Sequence, residues 1–199
     1  MPIYVVRHGE TRWNLERRIQ GRLDSPLTLR GLEQIRRYGA LLREVLPAGA
    51  TCELCTSPLA RAPQTASMLA ELLELPRERC SESELLAERY CGAWEGLTLD
   101  ELVVRHGDAV RQQYREWEAR IGDDGETLAG VQERARAWLA APRTASHVVV
   151  VTHGVLSRQF RGAYLGLDPV ATMALESHAQ DRIYGLDGGV ITALSVPDA

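Results

Sequence analysis

A short apolar run that ends abruptly in reactive chemistry sets the terms for the whole chain. Ile3-Tyr4-Val5-Val6 is β-branched and aromatic, too short for a helix, and drives straight into Arg7-His8-Gly9-Glu10-Thr11. Such a run reads as a buried strand that delivers polar side chains at its carboxyl end. That is where open α/β sheets bind ligands. An imidazole held there can attack phosphorus through nitrogen, and the neighbouring guanidinium can fork two hydrogen bonds onto phosphate oxygens.

The same pattern recurs twice. A strand over about Thr51 to Thr56 runs into Ser57-Pro58-Leu59-Ala60-Arg61-Ala62, and Ser146 to Thr152, the most strand-like run in the chain, ends in His153-Gly154. Ser57 is expected to cap a helix with Pro58 at its first position, its free amides facing the same sheet edge as His8. Pro63, one turn in, lacks a backbone donor and predicts a kink or a delayed start. Helical spacing is clear from Thr28, through Leu32, Ile35, Gly39, Leu42 and Leu46 to a stop at Pro47. Trp13 to Leu27 reads as an irregular loop over the site, and Pro76 to Ala87 as a short strand near Cys80 with a loop.

Thr98-Leu99-Asp100-Glu101 is a capping box that opens a helix ending at Gly107. A mixed-charge helical stretch follows from about Asp108 to Arg120, then an amphipathic helix from Glu126 to Ala141 and another from Gly154 to about Gly166. Arg182 to Leu186 and Val190 to Val196 form a hairpin around Asp187-Gly188-Gly189. Alternating strands and helices over 199 residues imply one α/β domain. The expected fold is a three-layer α/β/α sandwich with a mainly parallel central sheet and a helical cap inserted over about 88–125. Val5-Val6-Arg7-His8-Gly9 is echoed at Val103-Val104-Arg105-His106-Gly107, but the flanks do not repeat and the copy ends a capped helix. His106 is therefore read as a surface residue.

A net charge of −4 argues against a general nucleic-acid surface. No run approaches the roughly 20 apolar residues that span a bilayer, and no export signal opens the chain. A cytoplasmic protein is the default. All 23 cations are arginine, which removes any mechanism that needs an amine. Cys52 and Cys55, three apart on a strand, face opposite sides, and with Cys80 and Cys91 are read as buried small hydrophobes. No histidines and carboxylates are spaced as a divalent metal site, so neither metal nor cofactor is expected.

Arg7-His8-Gly9-Glu10-Thr11 with Trp13-Asn14, Ser57-Pro58-Leu59-Ala60-Arg61-Ala62 with Gln64-Thr65-Ala66, and Thr152-His153-Gly154 resemble the motifs of the histidine phosphatase superfamily, which includes cofactor-dependent phosphoglycerate mutase and many small phosphomonoesterases. The resemblance implies that His8 is the nucleophile forming a phosphohistidine. Arg7, Arg61 and His153 would hold the phosphoryl oxygens, and Asn14 would add a hydrogen bond. Glu88 matches the family's proton donor, with Glu84, Glu95 and Glu126 as nearby alternatives. Glu10 and Thr11 read as structural, Ser57 as either a cap or something more, and His147 and His178 as surface or packing residues. Trp13, Trp94 and Trp117 could line a substrate pocket or simply pack.

Two adjacent guanidinium groups would favour the neutral imidazole in the empty site, so His8 needs no separate base. The carboxyl that serves the leaving oxygen must be protonated near neutrality, which calls for burial or an adjacent phosphate dianion. Three functions follow: a phosphomonoester hydrolase acting on a small phosphorylated metabolite, a mutase, and a binding protein that has lost turnover. The short chain, the missing lysine and Val155-Leu156-Ser157-Arg158 favour the hydrolase, while Glu88-Arg89-Tyr90 has a mutase flavour. Substrate choice would lie in the cap, about Glu88 to Gly125, and in the loop from Arg12 to Ser25, with Arg12, Arg17, Arg18, Arg22 and Arg89 read either as contacts to an anionic second group or as solvated surface. A homodimer is the working guess for oligomeric state.

Overall fold

β-branched runs separated by helices make the sheet, and valines on alternate faces bury it on both sides. The computed structural model describes residues 1–115 and 124–196. Strands β1 (Ile3–Arg7), β2 (Cys52–Thr56), β3 (Cys80–Glu82) and β4 (His147–Thr152) run parallel. The hairpin β5 (Arg182–Asp187) and β6 (Val190–Ser195) adds antiparallel to β1, giving the order β3-β2-β4-β1-β5-β6. The hairpin turns on Gly188 and Gly189, both with positive φ (54° and 79°), as a two-residue turn matched to strand twist requires.

Val149 and Val151 face helices α2 (Leu29–Val45) and α3 (Arg61–Leu72), where they pack with Ile35, Tyr38, Leu42 and Leu69. Val148 and Val150 face α6 (Leu128–Ala140) and α7 (Gly154–Tyr164), among Val131, Trp138, Leu156 and Phe160. Cys52 lies on the first face and Cys55 on the second, as the strand period demands. All four cysteines are free, and burial pushes the Cys52 thiol up to about 11 and the Cys91 thiol up to about 12.

The cap has a core of its own. Cys91, Trp94, Leu102, Val110 and Tyr114, contributed by the 88–97 loop, by α4 (Leu99–His106) and by α5 (Ala109–Arg115), pack with one another and with Ile19 from the loop that follows the first strand. Thr98 and Glu101 close the expected capping box, and Gly107 ends α4 with φ 80°. His106 is exposed there, so the echo of the first strand is helical surface. The stretch read as helical to Arg120 falls partly outside the described residues, as does Trp117. No described helix is long and apolar enough to cross a membrane.

Three local expectations need correction. The segment after Thr11 is not wholly irregular, because Thr11 and Asn14 cap each other and wind α1 (Arg12–Leu15). The amphipathic helix starts at Leu128, not Glu126, since Thr127 caps it through the Gly130 amide. Ser57 does not cap α3. That helix starts late, at Arg61, so Pro63 falls in the first turn where no backbone donor is needed. Asp24, from the loop, accepts from the Ala60 and Arg61 amides instead, at 2.9 and 3.2 Å.

Candidate active site

Three neighbouring strands end side by side, and the residue after each carries chemistry. His8 follows β1, Ser57 follows β2 and His153 follows β4, with the His8 amide bonded to the Thr152 carbonyl (2.9 Å) and the Ser57 amide to that of Val151 (3.1 Å). The ladder thus continues one residue past the strands and fixes where these side chains start. The turn at Gly9 lies against Gly31 of α2. A Cβ on Gly9 would sit 2.7 Å from the Gly31 carbonyl oxygen, closer than any side chain tolerates.

His8 is 2% exposed and His153 fully buried, with ring centroids 5.2 Å apart and planes tilted by 56°. The His8 Nδ1 lies 2.8 Å from the Gly9 carbonyl, which assigns the proton to Nδ1 and leaves the Nε2 lone pair toward the site. Arg61 donates to that Nε2 from its Nε at 3.3 Å. Burial pushes both imidazoles well below their ordinary range, and Arg61 and Arg7 add to the effect at each. Both shifts favour the neutral ring.

Arg61, 1% exposed, is locked by the loop that covers it. Its NH1 donates to the Leu23 carbonyl (2.7 Å) and to Asp24 Oδ1 (2.8 Å), and its NH2 to the Gly21 carbonyl (2.7 Å). Arg7 is held from the other side by the His178 carbonyl, 2.7 Å from NH1. Burial pushes this guanidinium below its ordinary value, with Glu88 nearby pulling the opposite way. Arg7 Nε and His153 Nδ1 are buried without a partner, as is the Gln20 side-chain oxygen. Buried orphans are rare in folded proteins, and a cluster of them marks a place where a ligand completes the bonding.

Arg7, His8, Asn14, Gln20, Arg61 and Glu88 line one cavity of about 140 Å³. It adjoins a second of about 330 Å³, which shares Arg7, Glu88, Tyr114 and Val155 and continues to Arg158, Met173 and His178. A larger groove of about 600 Å³ lies elsewhere, between α3 and edge strand β3, away from this chemistry. The Asn14 oxygen is taken by the Thr11 amide (3.1 Å) and the Gln180 amide group (3.3 Å), so its Nδ2 is the donor it can offer. Glu88 accepts from three backbone amides: Oε1 from Arg89 (2.9 Å) and Leu156 (3.0 Å), Oε2 from Val155 (3.1 Å). Oε1 thus accepts two amide bonds and Oε2 one.

All six residues read from sequence, Arg7, His8, Asn14, Arg61, Glu88 and His153, are therefore gathered at one sheet edge. Of the four candidate glutamates only Glu88 lines the cavity. Glu95 accepts from the Cys91 and Arg22 amides, Glu126 pairs with Arg134, and Glu84 is exposed. Thr11 and Glu10 are structural, with Glu10 accepting from the Thr28 hydroxyl at 2.8 Å. Trp94 packs on Tyr114, and Trp13 lies against the backbone at Gly96, so neither lines the pocket. Arg89 is fully buried and Arg18 is paired with Glu16 and Glu101.

Sequence reasoning missed Gln20, Asp24, Tyr114 and Gln180, the last donating to the His8 carbonyl at 2.9 Å. It also missed that Ser57 lies 2.7 Å from His153 Nε2 and that His178 is a buried partner of Ser157 (2.6 Å). Among the described residues no group of three His, Cys, Asp or Glu could hold a metal ion.

The profile of the histidine phosphatase superfamily (branch 1) matches residues 3–186. The probable phosphoglycerate mutase GpmB of Klebsiella pneumoniae subsp. pneumoniae is 32% identical over 186 residues, which cover 88% of this chain and 80% of that protein. The uncharacterized phosphatase PhoE of Bacillus subtilis is 32% identical over 170 residues, 84% of this chain and 79% of PhoE. Among solved structures, a mycobacterial glucosyl-3-phosphoglycerate phosphatase superposes with a TM-score of 0.80 at 27% identity, over 98% of this chain and 96% of that one. Bacillus stearothermophilus YhfR gives 0.78 at 29%, over 100% and 97%.

Proposed function

Because the chain belongs to branch 1 of the histidine phosphatase superfamily, we propose that it hydrolyses a small phosphomonoester through a phosphohistidine on His8. The family match and the phosphatases among its relatives support phosphatase activity on small phosphorylated metabolites. The assignment of steps to residues rests on one observation. Arg7, His8 and Arg61 line one cavity, the His153 ring lies 5.2 Å behind that of His8, and Arg7 Nε and His153 Nδ1 are buried there without partners.

In this reading the phosphoryl group enters between His8 and His153, and Arg7, Arg61, His153 and Asn14 donate to its oxygens. Arg61 Nε, which covers the His8 lone pair, turns to a phosphoryl oxygen. His8 Nε2 then attacks in line: the P–N bond forms, the P–O ester bond breaks, and the leaving oxygen takes the proton from Glu88 Oε2. Glu88, now ionised, accepts a proton from the incoming water as its oxygen bonds to phosphorus, the P–N bond breaks with its electron pair returning to Nε2, and inorganic phosphate departs. Charge on the three oxygens is met by guanidinium and imidazole, so we read the enzyme as metal-independent and expect chelators to leave the rate unchanged. Four free thiols, three of them buried and Cys80 half-buried, suit a reducing, cytoplasmic setting.

The test is hydrolysis of p-nitrophenyl phosphate, with His8→Ala expected to lose about 10⁴-fold or more. Activity that survives this change would refute the nucleophile. A mutase reading is favoured by the GpmB relative. On 3-phosphoglycerate with 2,3-bisphosphoglycerate, phosphate release is expected, and stoichiometric isomer would establish the mutase instead.

A further inference from the structure

We propose that the ion pair between Arg134 and Glu126 is a positioning device for Glu88, acting on protonation of the leaving oxygen; this rests on Glu88 being the acid. Arg134 Nε and NH2 donate to the two Glu126 oxygens at 2.8 and 2.9 Å, in a two-point pair whose side chains are only 17% and 18% exposed. Its NH1 reaches across to the carbonyls of Leu85 (3.0 Å) and Ala87 (2.9 Å). That fixes the chain just before Glu88.

Glu126 fixes the chain just after it. Its Oε2 accepts from the Tyr90 amide (3.3 Å), its own amide donates to the Tyr90 carbonyl (2.8 Å), and its carbonyl accepts from Arg89 Nε (2.7 Å). Glu88 sits midway and has no side-chain partner among the described residues, since its carboxylate meets only the Arg89, Val155 and Leu156 amides. Where that carboxylate points is thus decided by backbone, and the backbone on both sides is held by one forked pair.

Net stability is a poor account of such a pair, because desolvation consumes much of the attraction between partly buried ions. Geometry is what a rigid guanidinium fork supplies. A proton donor needs it, as displacement of about 1 Å at a reacting centre costs on the order of 10²-fold in rate.

Leaving-group dependence separates positioning from mere structure. p-Nitrophenolate leaves without a proton, whereas the alkoxide of glycerol 3-phosphate must be protonated as it goes. Because Glu88 also serves the water step that both substrates share, the readout is kcat/KM, which ends at phosphohistidine formation. Arg134→Gln is expected to lower it on glycerol 3-phosphate by about 10- to 100-fold, but on p-nitrophenyl phosphate by less than about threefold. Glu126→Gln should split the substrates the same way. Glu88→Gln should split them further, and adding Arg134→Gln to it should not change the alkyl-to-aryl ratio again.

Equal losses on both substrates in Arg134→Gln, or independent effects in the double variant, would overturn the proposal. Should Arg134→Gln fail to fold, Arg134→Lys, which keeps the charge without the fork, must show the smaller split or the proposal falls. No split in Glu88→Gln would remove the acid itself and the proposal with it. A split in Glu88→Gln alone would remove only the positioning role.

Discussion

The two ends of the active cavity are built by different means. At the phosphoryl end, His8, His153 and Arg61 come from strand ends or one turn beyond, none is more than 2% exposed, and His8 and Arg61 are tied to backbone carbonyls. At the other end the walls are Tyr114, Arg158 and Met173, drawn from the cap, from a half-buried turn of α7 and from a short turn after it. Arg158 has no carboxylate partner among the described residues, and its polar contact is Met173 Sδ at 3.8 Å. A tetrahedral dianion is the same in every monoester and rewards a fixed receptor, while the alcohol it is attached to varies and needs walls that evolution can exchange.

If the ends differ in this way, damage to the first should be general and damage to the second selective. Arg61→Lys keeps the charge but cannot satisfy Gly21, Leu23, Asp24 and the phosphate together, so kcat/KM should fall about 10²-fold on every ester tried. A loss confined to some substrates would break the comparison.

The first end also carries a stability signature. Burial holds His8 and His153 well below their ordinary range and lowers His178, behind Arg7, to about 3. An unfolded histidine binds its proton near pH 6.5, so between that value and the depressed native ones the unfolded chain holds protons that the native chain does not. Stability should therefore fall as pH drops below about 6.5, by up to about 1.4 kcal/mol per pH unit for each of the three groups. Melting temperatures measured between pH 7.5 and 5 check this, and a flat profile would show that the imidazoles are not buried neutral.

At the second end the effect should be smallest. Arg158→Met is expected to raise KM about 10-fold for monoesters bearing a second anionic group, leaving p-nitrophenyl phosphate and inhibition by inorganic phosphate nearly unchanged. Uniform loss across substrates would place Arg158 in the fixed receptor.

What the amino-acid order reveals follows the same division. β1 and β4 were legible because short valine-rich runs end in polar residues, and Thr28, Thr98 and Asp187-Gly188-Gly189 announce caps and a turn within a few positions. Of the residues proposed to hold the phosphoryl group, Arg7 and His153 were legible because they end or directly follow a strand, and Arg61 because it lies five residues beyond one. Asp24 as the cap of α3 was not, since its partners lie 36 and 37 residues away and Ser57 offers a plausible local substitute. Gln180, bonded to the His8 carbonyl across 172 residues, and Arg134, which reaches Ala87 across 47, are equally invisible to any local pattern. Long-range side-chain-to-backbone bonds follow from the packed fold, and nothing in the neighbouring letters encodes them.

The backbones at Gly9 and Gly31 touch with no side chain between them. The loop bearing His8 and the first turn of α2 consequently travel as one body, and the imidazole inherits the stiffness of a 17-residue rod. In the mechanism we propose, an attacking atom mounted that way would arrive at phosphorus already aimed, with little freedom left to surrender when the ester docks.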